Sequence, residues 1–216
     1  LATISACAES LDARVNEGEF DGSAPLEDLR EYLGLIRSEA FRCKSITMGL
    51  LDFSRTRTSD HVTINLADII RSAVRLLLHQ KPSADIDFKV EIAHDLLPVS
   101  GDPGQLQQAV IALATNALDA MGDIGVLTIV GRNEASKVVV EVSDTGVGIP
   151  PENLPKIFEP FFTTKEIGRG TGLGLAVCYG ILTEHGGTLD VQSTVGTGTT
   201  FTITLSAVNL SEEQTV

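Results

Sequence analysis

The chain is predicted to be an α+β protein, a helical hairpin followed by an α/β two-layer sandwich. Three observations lead there. Apolar residues keep 3-4 spacing over roughly the first fifty positions, the mark of packed helices. Beyond residue 60, short runs of strand character are interleaved with long amphipathic segments, an order that layers helices on one face of a mixed, largely antiparallel sheet. Near the end, Phe201, Ile203 and Leu205 alternate with threonines, as a strand with one buried face does.

In the first part, Leu1, Ile4, Ala8, Leu11 and Val15 form one apolar row, and Leu26, Leu29, Leu33, Ile36, Ala40, Cys43, Thr47 and Leu50 form a second. NEGEFDGSA (residues 16–24) breaks the pattern between them, and Pro25 suits the first turn of the second helix. Two helices alone bury little, so a homodimer built on a four-helix bundle is the expected completion, with Ile46 and Phe53 widening the apolar face. A hairpin packed on the second domain of its own chain is the alternative. SRTRTSDH (54–61) reads as a linker, which sets the domains at 1–59 and 60–206 with a tail at 207–216.

The second part begins with a strand over 62–64 and a helix over 66–80 capped by Asn65. Strands follow at 86–92 and 97–100, then a helix over 103–121, then strands at 126–132 and 137–143. After a long loop region a helix is expected directly behind Gly172, with Thr171 as its cap, and strands at 188–193 and 199–205 close the domain.

Composition narrows the class. A content of 43% hydrophobic residues in 216 supports a real core, and no apolar run approaches the roughly 18 residues of a membrane span. Sixteen Lys and Arg against 29 Asp and Glu give a formal charge of -13, which argues against nucleic acid or an anionic membrane as partner. An anionic nucleotide would then arrive with a divalent metal. Cys7, Cys43 and Cys178 form no CxxC pair, so a reducing compartment and no zinc site are expected. Because Leu1 is not a methionine, the chain is expected to be an excised cytoplasmic fragment, joined to a membrane only through upstream segments if at all.

The chemistry gathers in residues 144–175, DTGVGIPPENLPKIFEPFFTTKEIGRGTGLGL. The strand VVVEV delivers Asp144 to a strand end, where Gly146 and Gly148 allow backbone angles closed to other residues. A carboxylate there can accept from an adenine amino group. Gly168, Gly170, Gly172 and Gly174 run into the next helix, whose free N–H groups and dipole favour phosphate. Hairpin turns closed by Asp144 are the alternative for DTGVG taken alone. Neither a dinucleotide fingerprint nor a GxxxxGK[ST] loop is present. On the 103–121 helix, Leu106, Val110, Leu113, Ala117 and Met121 share one face. Gln108, Ala112, Asn116 and Asp119 lie on another, so Asn116 can offer an amide oxygen to magnesium.

In order along the chain stand QLQQAVIALATNALDAM, DTGVGIP, IFEPFFTTK and GRGTGLGL, and together they resemble the asparagine, first glycine, phenylalanine and second glycine boxes of sensor histidine kinases. HGGTLDVQSTVGTGTTFTITL is similar to that family's closing hairpin, and LATI and DFSRTR are similar to parts of its dimerisation and phosphotransfer hairpin. The resemblance, nearest to the nitrogen-regulation-like subgroup, implies a Bergerat-type ATP-binding fold with ATP and Mg2+ as cofactors. It implies that Asp144 binds adenine N6, that Gly146, Gly148 and Ile149 shape the pocket, and that Thr199 joins the same hydrogen-bond network. Asn116 would hold magnesium, with Asp119 beside it. Gly170, Thr171, Gly172, Leu173 and Gly174 would line the phosphates, with Lys165 and Arg169 as charge partners. Phe158, Phe161 and Phe162 would anchor a lid over 166–171 or form a plain core cluster.

Two departures stand out. Ala112 sits where the family usually has an earlier asparagine, and Asp119 replaces a basic residue found in many members. No catalytic residue is expected in this chain, because none of His61, His79, His94 and His185 lies in the family's phosphoacceptor context. The expected acceptor lies upstream of Leu1, so this fragment should not autophosphorylate. The implied activity is transfer of the ATP γ-phosphate to a histidine and then to a response-regulator receiver domain. An ATP-binding dimerisation scaffold and an ATPase of the gyrase, Hsp90 or mismatch-repair type are the alternatives. The ATPases need a water-activating glutamate where Ala112 stands.

Overall fold

The computed structural model describes Leu33, Ile36 and residues 61–80, 85–165 and 170–208. Its backbone groups into two compact units, Leu1–Arg55 with Thr163–Leu173, and Thr56–Phe162 with Gly174–Val216. In the first unit Leu33 and Ile36 are helical, the former exposed and the latter half-buried. The rest of the expected hairpin over 1–59, with its dimer seam, lies outside the described residues, as does the tail beyond residue 208.

The second unit is an α+β sandwich, as expected. Its elements run β1 (Val62–Ile64), α1 (Leu66–Gln80), β2 (Asp85–Ile92), β3 (Val99–Gly101), α2 (Pro103–Met121), β4 (Ile124–Glu134), β5 (Lys137–Asp144), a 3-10 turn (Leu154–Lys156), α3 (Gly174–Glu184), β6 (Thr188–Thr194) and β7 (Gly198–Ser206). Five strands form one sheet in the order β2-β4-β5-β7-β6, with β2 parallel to β4 and the other neighbours antiparallel. β1 and β3 pair separately, antiparallel.

Register explains which face is buried. Phe88 lies opposite Leu127, Ile129 opposite Val142, Val142 opposite Phe201, and Val140 opposite Ile203, which in turn faces Leu189. All of these share one side of the pleat and join the core with Ile70, Leu77, Leu106, Leu113 and Leu182 of the three helices. Each such side chain taken fully from water stabilises the fold by about 1.5–3 kcal/mol. The opposite face carries Thr200, Thr202 and Thr204, and there Arg132 lies 2.8 Å from both Glu134 and Glu141. No helix among the described residues is long and apolar enough to cross a membrane.

Helix α2 is the central one. Its buried stripe is Leu106, Ala109, Val110, Leu113, Ala114, Ala117 and Leu118, and the alanines let neighbouring backbones come close. Met121, expected on this stripe, is only half-buried. Asp102 caps the start, its Oδ1 accepting from the N–H groups of Gly104 at 2.7 Å and Gln105 at 3.1 Å, while Pro103 occupies the first turn, where its missing N–H goes unneeded. His185, just past α3, secures the same start. Its Nδ1 is 2.7 Å from the Ile181 carbonyl, which can only accept, so Nδ1 carries the proton and Nε2 accepts from the Asp102 N–H at 2.9 Å. His61 stacks on this ring at 5.0 Å.

The expected cap at Asn65 forms, with its Oδ1 accepting from Ala67 N–H at 3.0 Å. β2, β5, β6 and β7 extend a residue beyond the sequence reading at one or both ends, and three further boundaries differ for a definite reason. The strand expected at 97–100 is Val99–Gly101, because Pro98 has no N–H for a ladder and the Leu97 N–H is taken by Asn133 Oδ1. The strand expected at 126–132 extends to Ile124–Glu134 because β2 pairs along it from Asp85 onward. The last helix starts at Gly174, and Thr171 is no helix cap: its hydroxyl accepts from Leu173 N–H at 3.4 Å in a local turn.

Candidate functional site

At the end of the apolar face the sheet turns polar in one row. Asp144 on β5 lies opposite Thr199 on β7, and Thr199 lies opposite Ser193 on β6. Asp144 is 8% and Thr199 4% exposed, so their polar atoms need partners inside the protein. The Asp144 carboxylate accepts from Gly146 N–H at 2.8 Å and from the backbone N–H of Thr199. Burial pushes its carboxyl above the usual aspartate range, and these two donors pull it part of the way back.

Ser193, which the sequence reading did not single out, ties the row to the loop behind Asp144. Its Oγ lies 2.7 Å from Ile149 N, 3.1 Å from the Gly198 carbonyl and 2.9 Å from Thr199 Oγ1. The available signal was positional: a serine facing Thr199 across the VGTG turn.

The loop carrying Gly146, Gly148 and Ile149 is clamped on both sides. On one side Val147 N–H bonds the Ala120 carbonyl of α2 at 3.1 Å; on the other Gly196 N–H bonds the Val147 carbonyl at 2.8 Å. Gly148 has a φ of 72°, as expected of a glycine needed for its backbone angle. Gly146 departs from the expectation, because its φ is not in the left-handed region. What forbids a side chain there is proximity, since a Cβ would stand 2.7 Å from the Ala120 carbonyl carbon and oxygen.

Four residues before Ala120, and so along the same side of α2, is Asn116. It is half-buried, and a Cβ added to Gly174 at the start of α3 would lie 4.0 Å from its Nδ2. The fold therefore brings the asparagine amide beside the first turn of α3. Asp119 is exposed, and Ala112, one turn before Asn116, packs against the core.

The other unit contains Lys165, Arg169, Gly170, Thr171, Gly172 and Leu173. Lys165 is exposed and its backbone N–H donates to Thr163 Oγ1 at 3.2 Å. A Cβ at Gly170 would meet that same Thr163 oxygen at 3.0 Å and Lys165 Cδ at 3.1 Å, so Gly170 lies against both residues. Thr171 and Gly172 are half-buried and Leu173 is buried. Arg169, with the rest of 166–169 and thus most of the expected lid, lies outside the described residues. In the aromatic block, Phe158 and Phe162 pack against the core, Phe158 also tilting on Tyr179 at 5.2 Å, whereas Phe161 is exposed with a φ of 68°.

Residues 101–209 match the family described as histidine kinase-, DNA gyrase B-, and HSP90-like ATPase. The chain is 44% identical over 185 residues to the sensor kinase CckA of Brucella abortus, covering 79% of this chain and 20% of that protein. It spans about a fifth to two-fifths of the curated relatives it matches. A nucleotide-free catalytic domain of the histidine kinase ThkA is similar in structure, with a TM-score of 0.62 at 35% identity, covering 68% of this chain and 95% of that one. ThkA in complex with the response regulator protein TrrA has a TM-score of 0.75 at 29% identity, covering 95% of this chain and 59% of that one.

The Asp144 shift has a sign that can be measured. With its folded pKa above the ordinary 3.8, the native state holds a proton more readily than the unfolded chain, so this residue's contribution to stability falls as pH rises through that window. At pH 7 the full penalty is present. Asp144→Asn keeps an oxygen for the Gly146 and Thr199 N–H groups without the charge, so it should melt at or above the parent temperature at pH 7. The gap should narrow as pH falls toward 3.8. Calorimetric melts across pH check this, and a variant melting clearly lower at pH 7 contradicts it.

Proposed function

The chain belongs to the histidine kinase-, DNA gyrase B- and HSP90-like ATPases and carries the ATP-binding catalytic domain of a sensor histidine kinase; on that premise we propose that it uses MgATP to phosphorylate a histidine, from which a response-regulator aspartate takes the phosphate. The observation that carries this reading is the buried Asp144 carboxylate, held by two backbone N–H groups at the end of β5. In this reading it accepts from the adenine amino group, with Thr199 beside it and Gly146, Gly148 and Ile149 forming the wall.

Phosphoryl transfer asks for positioning and charge neutralisation more than for covalent chemistry. Asn116 offers an amide oxygen next to the first turn of α3, with Asp119 on the following turn. Among the described residues no group of three or more His, Cys, Asp or Glu could cage a metal. The donor set thus suits magnesium that arrives with the nucleotide and keeps phosphate oxygens and waters as ligands. Gly170, Thr171, Gly172, Leu173 and Gly174 are proposed to contact the phosphates, with Lys165 and Arg169 as charge partners. Ala112 offers no carboxylate to activate water one turn before Asn116, which favours transfer over hydrolysis of the gyrase or Hsp90 kind.

Residues 1–59 are proposed to pair with a second copy as a four-helix bundle, with domain 60–206 carrying the nucleotide. A receiver domain is the proposed second partner, supported by the ThkA relative solved with its response regulator. The cytoplasm, where ATP is supplied, is the proposed compartment.

Titration calorimetry with MgATP tests the site. Asp144→Ala should weaken binding at least about tenfold, since a hydrogen bond to a charged group contributes roughly 1.5–3 kcal/mol. Unchanged affinity would sink the pocket assignment. Asn116→Ala should retain adenosine recognition and lose the dependence on magnesium; identical magnesium titrations in variant and parent would remove Asn116 as the ligand.

The chain by itself should take no acid-labile label from radiolabelled ATP. General-base help is worth roughly 100- to 10,000-fold, and none of the four histidines lies in the family's phosphoacceptor context, His94 having only the acid that follows it, Asp95. His185 moreover has both ring nitrogens engaged. Strong labelling would show that one of the four is an acceptor after all, and that the match of LATI to the end of the family's phosphoacceptor motif is wrong.

A further inference from the structure

Ser193 has one proton and two lone pairs, and its three neighbours occupy all of them. The Ile149 N–H, 2.7 Å away, can only donate, and takes one lone pair. The Gly198 carbonyl, 3.1 Å away, can only accept, so the Ser193 proton goes to it. Thr199 Oγ1, 2.9 Å away, must then donate its own proton to the lone pair that remains. Thr199, 4% exposed, is left with acceptor capacity alone. Beside it in the register row, the ionised Asp144 carboxylate is an acceptor too.

We propose that Ser193 is a positioning residue that sets nucleobase specificity: by taking the Thr199 proton it makes the Asp144–Thr199 wall acceptor-only, so the site admits a purine with an amino group at position 6 and rejects one with a carbonyl there. This rests on the nucleotide reading above. A 6-oxo group sets its lone pairs against those of the wall; its neighbouring N1–H is the only donor on that edge, so the acceptors facing position 6 are left without one, the situation in which polar sites discriminate most strongly. A 6-amino group donates into the same space. The bond to Ile149 N also fixes the end of the loop that bears Gly146 and Gly148, so one hydroxyl couples the order of that loop to the polarity of the wall. With Ser193 truncated, the Thr199 proton is released and can turn toward the base.

Calorimetry on the whole chain with the magnesium salts of three triphosphates decides it: ATP with a 6-amino group, inosine triphosphate with a 6-oxo group, and purine riboside triphosphate with hydrogen at position 6. The unaltered chain should bind ATP tightest and the 6-oxo nucleotide about tenfold or more below the 6-hydrogen one. In Ser193→Ala the ratio of ATP to inosine triphosphate affinity should fall about tenfold, and Ser193→Thr, which keeps the hydroxyl, should restore it. A structural role alone would lower all three affinities by the same factor, and that outcome overturns the assignment. If Ser193→Ala does not fold, the unaltered chain and Ser193→Thr still decide, because a 6-oxo nucleotide bound as well as the 6-hydrogen one overturns it equally. Binding of ATP without any preference at position 6 removes only the Ser193 assignment; binding of none of the three removes the nucleotide reading itself.

Discussion

Asp144 faces the helices only because β5 pairs with β7 in the register that sets it opposite Thr199. Side chains alternate along a strand, so a slip of one residue would send Asp144 to the threonine-lined face and bring Ser143 or Thr145 inward. What pins the register lies away from the site. Val138, Val140 and Val142 meet Leu205, Ile203 and Phe201 in the core, and a slip of β5 would turn its three valines out of it. At about 1.5–3 kcal/mol for each buried side chain, that penalty is comparable with the whole stability of an ordinary domain. The hydrophobic face therefore positions the carboxylate, although no apolar residue of that ladder is needed to hydrogen-bond it.

Helix α2 transmits that positioning to the rest of the site. Its inner stripe seats on the sheet, its Ala120 backbone receives the loop after Asp144, and Asn116 one turn earlier stands beside the start of α3. The helix is held along its axis at its first turn, where Asp102 caps it and His185 accepts the Asp102 N–H. Because His185 also binds the Ile181 carbonyl, the beginning of α2 and the end of α3 share one side chain. The two helices that frame Asn116 and Gly174 are thus locked to each other far from those residues.

The row of Asp144, Thr199 and Ser193 works against stability and is tolerated because the rest of the layer is apolar. An ionised carboxylate at 8% exposure carries a desolvation penalty that two backbone N–H groups offset only in part, which is why its carboxyl is pushed upward. A leucine or valine at position 144 would continue the ladder of Val138, Val140 and Val142 without that penalty. Retaining charge where the packing pattern calls for an apolar side chain is the behaviour of a functional position.

Periodicity and turn chemistry alone were enough to find the strands and helices of residues 61–208, because alternation and 3-4 spacing report burial within each segment. The caps at Asn65 and the Pro103 start were legible for the same reason: each depends on groups two or three residues apart. The four ordered boxes carried the family. What remained hidden depended on contacts between distant segments. Gly146 looked like a glycine chosen for its backbone angle, yet it is small because Ala120 of α2 presses against it. Thr171 read as a cap, yet the helix begins at Gly174. Ser193 lay unmarked within the closing hairpin, and its place appears only once β6 is laid against β7 and the loop ending at Ile149 closes over it. A sequence states which faces are apolar and which turns are possible. It does not state which strand lies beside which, and it is that pairing, set by how all the apolar faces fit together at once, that decides where a serine's single proton goes.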